Sequence, residues 1–231
     1  MPEHWVIPFS AKLETVAYLS AALPLAVAWR RRHLLSPPLQ VLFWIPVYIL
    51  IASGIAWYLS HKYYYNLPFI HLTTVVETLL YILVYYRALA APRTRYYIKL
   101  ATVGFLVFAA FDSFYLEGMQ QINSYTNALE TFIIISLALL YFEQTLHDLS
   151  AARLERDPLF LASVGIVLYL TGTVTIYLLM ARTVTDEDEL TYSAMSIITS
   201  LLLLLLCGML TWSFLMAGRA NTQHKMPSHF R

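Results

Sequence analysis

The sequence predicts an all-α, polytopic membrane protein with seven transmembrane helices in one bundle. Three observations carry that expectation. Residues 10–29, 38–59, 67–89, 98–116, 125–146, 159–181 and 190–217 are each apolar over about 20 positions, the length a helix needs to cross ~30 Å of hydrocarbon. Hydrophobic residues fill 59% of the 231 positions and charged residues only 13%, where a soluble domain carries about a quarter. Basic residues cluster in alternate connections, as the ends of a serpentine membrane chain require. Helices are favoured over strands because lipid cannot satisfy an open sheet edge. The spans leave room for one domain, 1–217, and a short tail, 218–231.

The first span resembles a signal peptide only in Ala26-Val27-Ala28. Its positive charge follows the apolar run instead of preceding it, so it is expected to stay as a helix. Pro24 and Pro46 lie inside spans one and two and predict kinks. Pro37-Pro38, Pro68, Pro92 and Pro158 stand at or just before the starts of spans two, three, four and six, where a missing N–H costs little. Span seven contains Cys207, the sole cysteine, so no intramolecular disulfide is possible.

Orientation follows from the charges. Arg30, Arg31, Arg32, Arg87, Arg93, Arg95, Lys99, Arg153, Arg156, Arg219, Lys225 and Arg231 fall on one side. Only Lys12, Lys62 and Arg182 fall on the other, with the acidic run Asp186-Glu187-Asp188-Glu189. The expected arrangement has the N-terminus outside and the C-terminus in the cytoplasm, in a bacterial inner membrane. The arginine runs read as topology signals and not as a nucleic-acid surface.

An ionisable residue inside a membrane helix costs about 2.5–3.5 kcal/mol, so each needs a reason. Glu77 lies eleven residues past Asn66, ~16 Å along the helix and close to three turns on, so the two share a face. His71 is on a different side, with Thr74 and Thr78. Span five places Asn123, Asn127 and Glu130 on one stripe. Span four adds Asp112, and span six adds Tyr177 among several threonines. Leu13-Glu14-Thr15, Val76-Glu77-Thr78 and Leu129-Glu130-Thr131 form a weak repeat in spans one, three and five, compatible with a parallel duplication or with chance.

Most of these groups lie in one half of the bilayer. Residues 201–206, in the other half of span seven, are all leucine. A conducting path needs polar groups through the whole thickness, so a pore is disfavoured. The carboxylates could be protonated glue between helices. Three carboxylates and a histidine at similar depth favour instead a ligand-binding pocket of Asn66, His71, Glu77, Asp112, Asn123, Asn127, Glu130 and Tyr177.

Several chemistries lose support. Retinal needs a buried lysine, and all four lysines lie at or beyond span ends. Haem wants paired axial histidines, and only His71 is embedded. His61, His71, Glu77 and Asp112 could in principle share a zinc ion, but no H-x-x-x-H or H-E-x-x-H spacing supports it. No cofactor is expected.

Asn66…His71…Glu77, Ile122-Asn123-Ser124…Leu129-Glu130, Leu140-Tyr141-Phe142 and Pro158-Leu159-Phe160…Tyr169-Leu170-Thr171-Gly172 resemble segments of small bacterial seven-helix membrane proteins without assigned activity. Some of that group resemble the membrane sensor regions of histidine kinases. The resemblance covers spans three to six and implies sensing through Asn66, His71, Glu77, Asn123 and Glu130. No kinase domain is present in this chain, so it implies a separate kinase or other signalling partner in trans. The expected function is a receptor or sensor in the lipid bilayer for an unidentified small ligand or protons. The alternatives are a lipid-modifying enzyme or a small-solute carrier.

Overall fold

The structure is a computed structural model and describes residues 5–63, 66–121, 123–148, 157–183 and 189–217. The tail 218–231, the acidic positions 186–188, and Arg153 and Arg156 lie outside the described residues. Within them the fold is helical, with seven helices long and apolar enough to cross a membrane: α1 Val6–Arg30, α2 Pro37–Tyr63, α3 Leu67–Ala88, α4 Pro92–Leu116, α5 Ser124–His147, α6 Pro158–Leu179 and α7 Leu190–Met216. Their outer surface is apolar almost throughout, with Leu19, Ile51, Val107, Phe132 and Leu201 all exposed. Such a surface suits hydrocarbon, since a monomer in water rarely leaves so continuous an apolar face.

Two helices are interrupted, and both interruptions have the same cause. The regular helix pauses at Ala21 and at Phe43, three residues before Pro24 and Pro46. Each proline removes one backbone donor and pushes against the preceding turn. Helix α4 begins at Pro92, earlier than the predicted 98, so Arg93, Arg95 and Lys99 lie on its first turns. Their long aliphatic stems let charged heads reach the interface from a helical backbone, and the Arg95 guanidinium lies 5.4 Å from the Tyr86 ring centre.

The helices pack in sequence order, α7 closes against α1, and α3 also touches α5. Helices α6 and α7 come closest. A Cβ added at Gly165 would stand 2.7 Å from Met209 Cβ, and one at Gly172 would stand 2.4 Å from a Leu202 methyl. These glycines are seven residues apart on one face, and small residues at a helix interface let membrane helices approach.

The end carrying Arg30 to Arg32 is tied by polar contacts. The Arg31 guanidinium donates to the carbonyls of Leu215 and Ala217, covering the open C-terminus of α7. Asp157 caps α6 by accepting from the amides of Leu159 (2.8 Å) and Phe160 (3.3 Å), and it also accepts from the Tyr141 hydroxyl at 2.7 Å. Between these ties and the polar half sits an apolar core that includes Leu42, Ile45, Ile134, Ile166, Leu206 and Phe214.

Candidate functional site

Two polar layers occupy the other half of the bundle. The first joins α3, α4 and α5 near the 117–123 connection. His71 is buried, with Nδ1 2.9 Å from Ser113 Oγ and Nε2 3.1 Å from the Gln121 carbonyl. A carbonyl only accepts, so Nε2 carries hydrogen, and in the neutral ring Nδ1 accepts from the serine hydroxyl. Asn123 donates to Thr74 Oγ1 at 2.9 Å, while Asn127 donates to the carbonyl (2.8 Å) and side-chain oxygen (3.0 Å) of Asn123. The His71–Thr74 face of α3 therefore meets the asparagine stripe of α5.

Asp112 has a different task. It opens a π-helical turn, Asp112–Leu116, which closes at Gly118, whose φ of 76° suits glycine. Its Oδ2 accepts from the amide (3.2 Å) and the hydroxyl of Thr126. Glu117 accepts from the hydroxyl of Ser124 and from the amide of Tyr125 at 3.3 Å. These two carboxylates serve the first turn of α5, where backbone donors lack partners and the helix dipole favours anions. Burial pushes the Glu117 carboxyl above the usual range, against the opposing pull of Ser124 and Tyr125.

The second layer lies deeper. Glu77 and Glu130 are within electrostatic range of each other, and Glu130 also meets Thr78. Tyr81 stands one turn from Glu77 and within range of both glutamates. Tyr48 of α2 is also near both, and its hydroxyl donates to the Thr73 carbonyl at 2.7 Å. Tyr18 and Tyr169 are near Glu77. Tyr177 of α6 is in range of Glu77, Glu130 and Glu14. Glu14 in turn accepts from Ser196 of α7 at 3.3 Å. The glutamates of the three Glu-Thr tripeptides, on α1, α3 and α5, thus all act electrostatically on one tyrosine. Among the described residues, no lysine, arginine or histidine acts on Glu77 or Glu130.

Glu130 is 2% exposed, yet among the described residues its Oε1 has no hydrogen-bond partner, as is true of Asp112 Oδ1 in the shallower region, whereas the buried Tyr81 hydroxyl is directed at the Glu77 carboxyl one turn away. Burying a polar atom unpaired costs about 1–3 kcal/mol, so the Glu130 oxygen leaves the layer short of one hydrogen-bond partner. No group of three or more His, Cys, Asp or Glu side chains suited to a metal ion occurs among the described residues.

The expected site residues therefore divide. Glu77, Glu130 and Tyr177 meet in the deep layer. His71, Asn123 and Asn127 form the shallow layer, linked to the deep one through the Thr74–Thr78 side of α3, where the Thr78 hydroxyl donates to the Thr74 carbonyl at 2.8 Å. Asp112 caps α5. Asn66 precedes α3 and donates to Ser60 of α2 at 2.8 Å, so sharing a helix face with Glu77 does not bring the two into contact. Sequence reasoning missed Tyr48, Ser113, the Gln121 carbonyl and Thr126. Tyr48 carried a signal, as the only hydroxyl between Ser36 and Ser53. Tyr169, Thr173 and Tyr177 also repeat every four residues, one polar stripe in an apolar helix.

Fold and site together define an all-helical protein with seven helices able to span a bilayer and ionisable groups gathered in its interior. No known protein family, curated protein or solved structure matches the chain.

Proposed function

We propose that the protein is a multi-pass membrane receptor or sensor whose polar half binds a small ligand or protons and faces outside. The orientation rests on the basic residues at the opposite end, which the positive-inside rule assigns to the cytoplasm. One observation carries the reading: Glu77, Glu130 and Glu14, from three helices, all lie within range of Tyr177. A group that changes charge or partner there acts on α1, α3, α5 and α6 at once. Signal would leave as a small helix shift, passed to a separate kinase or other partner. The apolar core toward the arginine-rich end favours sensing over transport.

Thermal unfolding of purified protein across pH, and with a panel of small amines and polyols, tests this reading. A saturable or pH-dependent shift is expected in wild type and should vanish in Glu77→Gln and Glu130→Gln, with helix content retained. Variants that keep the full response would overturn it.

One contact favours a second reading, an enzyme acting on lipid. Ser113, His71 and the Gln121 carbonyl form a hydroxyl–imidazole–acceptor chain of the kind that activates a serine nucleophile. A fluorophosphonate should then label Ser113 in wild type and fail to label His71→Ala. Absence of labelling in the folded protein would dismiss it.

A further inference from the structure

A groove of about 370 Å³ runs between α2 and α3 on the outside of the bundle. Ile51, Ala52 and Ile55 form one wall, and Leu72, Val76 and Leu80 form the other. Ile51 and Leu72 are more than half exposed, so the groove opens where lipid chains would lie. Its size falls within the range of small-molecule sites, about 300–1,000 Å³. Two of its lining residues are polar, Tyr48 and Thr73, and they are hydrogen-bonded to each other. Tyr48 is also an electrostatic neighbour of Glu77 and Glu130. Glu77 is only half-buried, and on α3 it follows Thr73 by four residues and precedes Leu80 by three, at the edge of the groove's own stripe. The apolar groove therefore runs alongside the position of Glu77 on α3, the glutamate through which the acidic layer comes nearest to the lipid side.

The layer lacks one component. It holds two carboxyl groups within electrostatic range of each other and a buried, unpartnered carboxyl oxygen on Glu130, with no described basic residue to answer them. A buried carboxylate without a counter-charge is costly. An anion would be repelled. A hard metal ion wants about six or more oxygen ligands, and the Tyr48 hydroxyl is already committed to Thr73. An ammonium needs only a few acceptors and gains from aromatic faces, which Tyr48, Tyr81, Tyr169 and Tyr177 can supply.

We infer that the site takes an amphiphilic amine from the bilayer, its chain lying in the α2–α3 groove and its ammonium held by Glu77 and Glu130. The inference rests on the receptor reading above and names its ligand class. The amine enters the groove as the uncharged base and accepts a proton from the carboxyl pair, leaving an ammonium beside a carboxylate. The chain loses nothing on moving from lipid into an apolar groove. It brings the nitrogen to a depth that a hydrophilic amine does not reach.

The test uses the full chain in lipid nanodiscs, with empty nanodiscs as the blank and an octylamine bearing a diazirine near its chain end as the probe. Photolysis should place the adduct on α2 residues 51–55 or α3 residues 72–80. Octylamine should compete, and octanol should be at least about tenfold weaker, the factor that corresponds to one lost charge-assisted contact. Glu77→Gln and Ala52→Trp should each reduce labelling by about tenfold or more. The second variant alters only the lipid-facing wall and guards against a folding defect in the first. Equal competition by octanol overturns the inference, since the groove would then hold any lipid chain. If groove labelling is absent while ethylamine still shifts the melting midpoint in a Glu77-dependent way, the groove route fails and the receptor reading survives. If neither probe binds and Glu77→Gln changes no response, both fail.

Discussion

Replacing Asp112 separates a structural carboxylate from a functional one. Its Oδ2 accepts two hydrogen bonds from Thr126, one from the amide at 3.2 Å and one from the hydroxyl, with Asp112 0% and Thr126 2% exposed. Asp112→Ala leaves both donors buried and unpaired. At about 1–3 kcal/mol for each stranded group, the expected loss is about 2–6 kcal/mol. Asp112→Asn keeps an oxygen acceptor and should cost about 1 kcal/mol. Thr126→Val removes one of the stranded donors, so the Asp112→Ala/Thr126→Val pair should lose less than the sum of the single changes. Reversible unfolding in mixed micelles titrated with SDS, followed by tryptophan fluorescence, measures all four. The ligand-dependent melting shift should survive in every variant that folds. An Asp112→Ala loss below about 1 kcal/mol, or strict additivity with Thr126→Val, would refute the capping assignment. Asp112 would then belong with the ligand-binding groups.

Three further outcomes are expected. Glu77→Gln and Glu130→Gln should be non-additive in a double-mutant cycle of the ligand- or pH-dependent shift, because groups in one interacting network couple by about 0.5–3 kcal/mol; additive effects would mean independent sites. Gly165→Ala should destabilise the bundle by about 1–3 kcal/mol through overpacking, because its Cβ meets Met209 Cβ close to the backbone. Gly172→Ala meets the movable end of Leu202 and should cost less, and the reverse order in the same unfolding assay would show that α6 and α7 pack differently. In a Cys207→Ser background, cysteines at the exposed positions Lys62 and Gln120 should react with an impermeant maleimide from outside, and one at Arg93 only from the cytoplasm; the opposite pattern would invert the proposed orientation.

The stripes were legible in the sequence because helical period alone places residues along one helix. Asn123, Asn127 and Glu130 follow that rule, and so do His71, Thr74 and Thr78. Depth was legible too, since rise per residue is constant. Partners across helices were not. Asn66 and Glu77 share a face by periodicity, yet Asn66 sits before the helix proper and turns to Ser60. Asp112 has the composition of a ligand-site carboxylate, and only the path of the chain through Gly118 brings it over the first turn of α5.

The sequence by itself determined the class of the molecule: an all-helical bundle with seven helices of membrane-crossing length, two of them carrying internal prolines. Hydrophobic length and proline chemistry are local properties, and each helix in lipid satisfies its own backbone without help from neighbours. The tertiary structure alone decided which polar groups meet. It brought Tyr48 within electrostatic range of two glutamates on other helices, gave His71 a serine and a carbonyl for partners, and brought Glu14, Glu77 and Glu130 within electrostatic range of Tyr177. The rotation and neighbour of each helix depend on how whole surfaces fit. Small residues such as Gly165 and Gly172 set how closely α6 approaches α7, and no spacing within one helix encodes that fit.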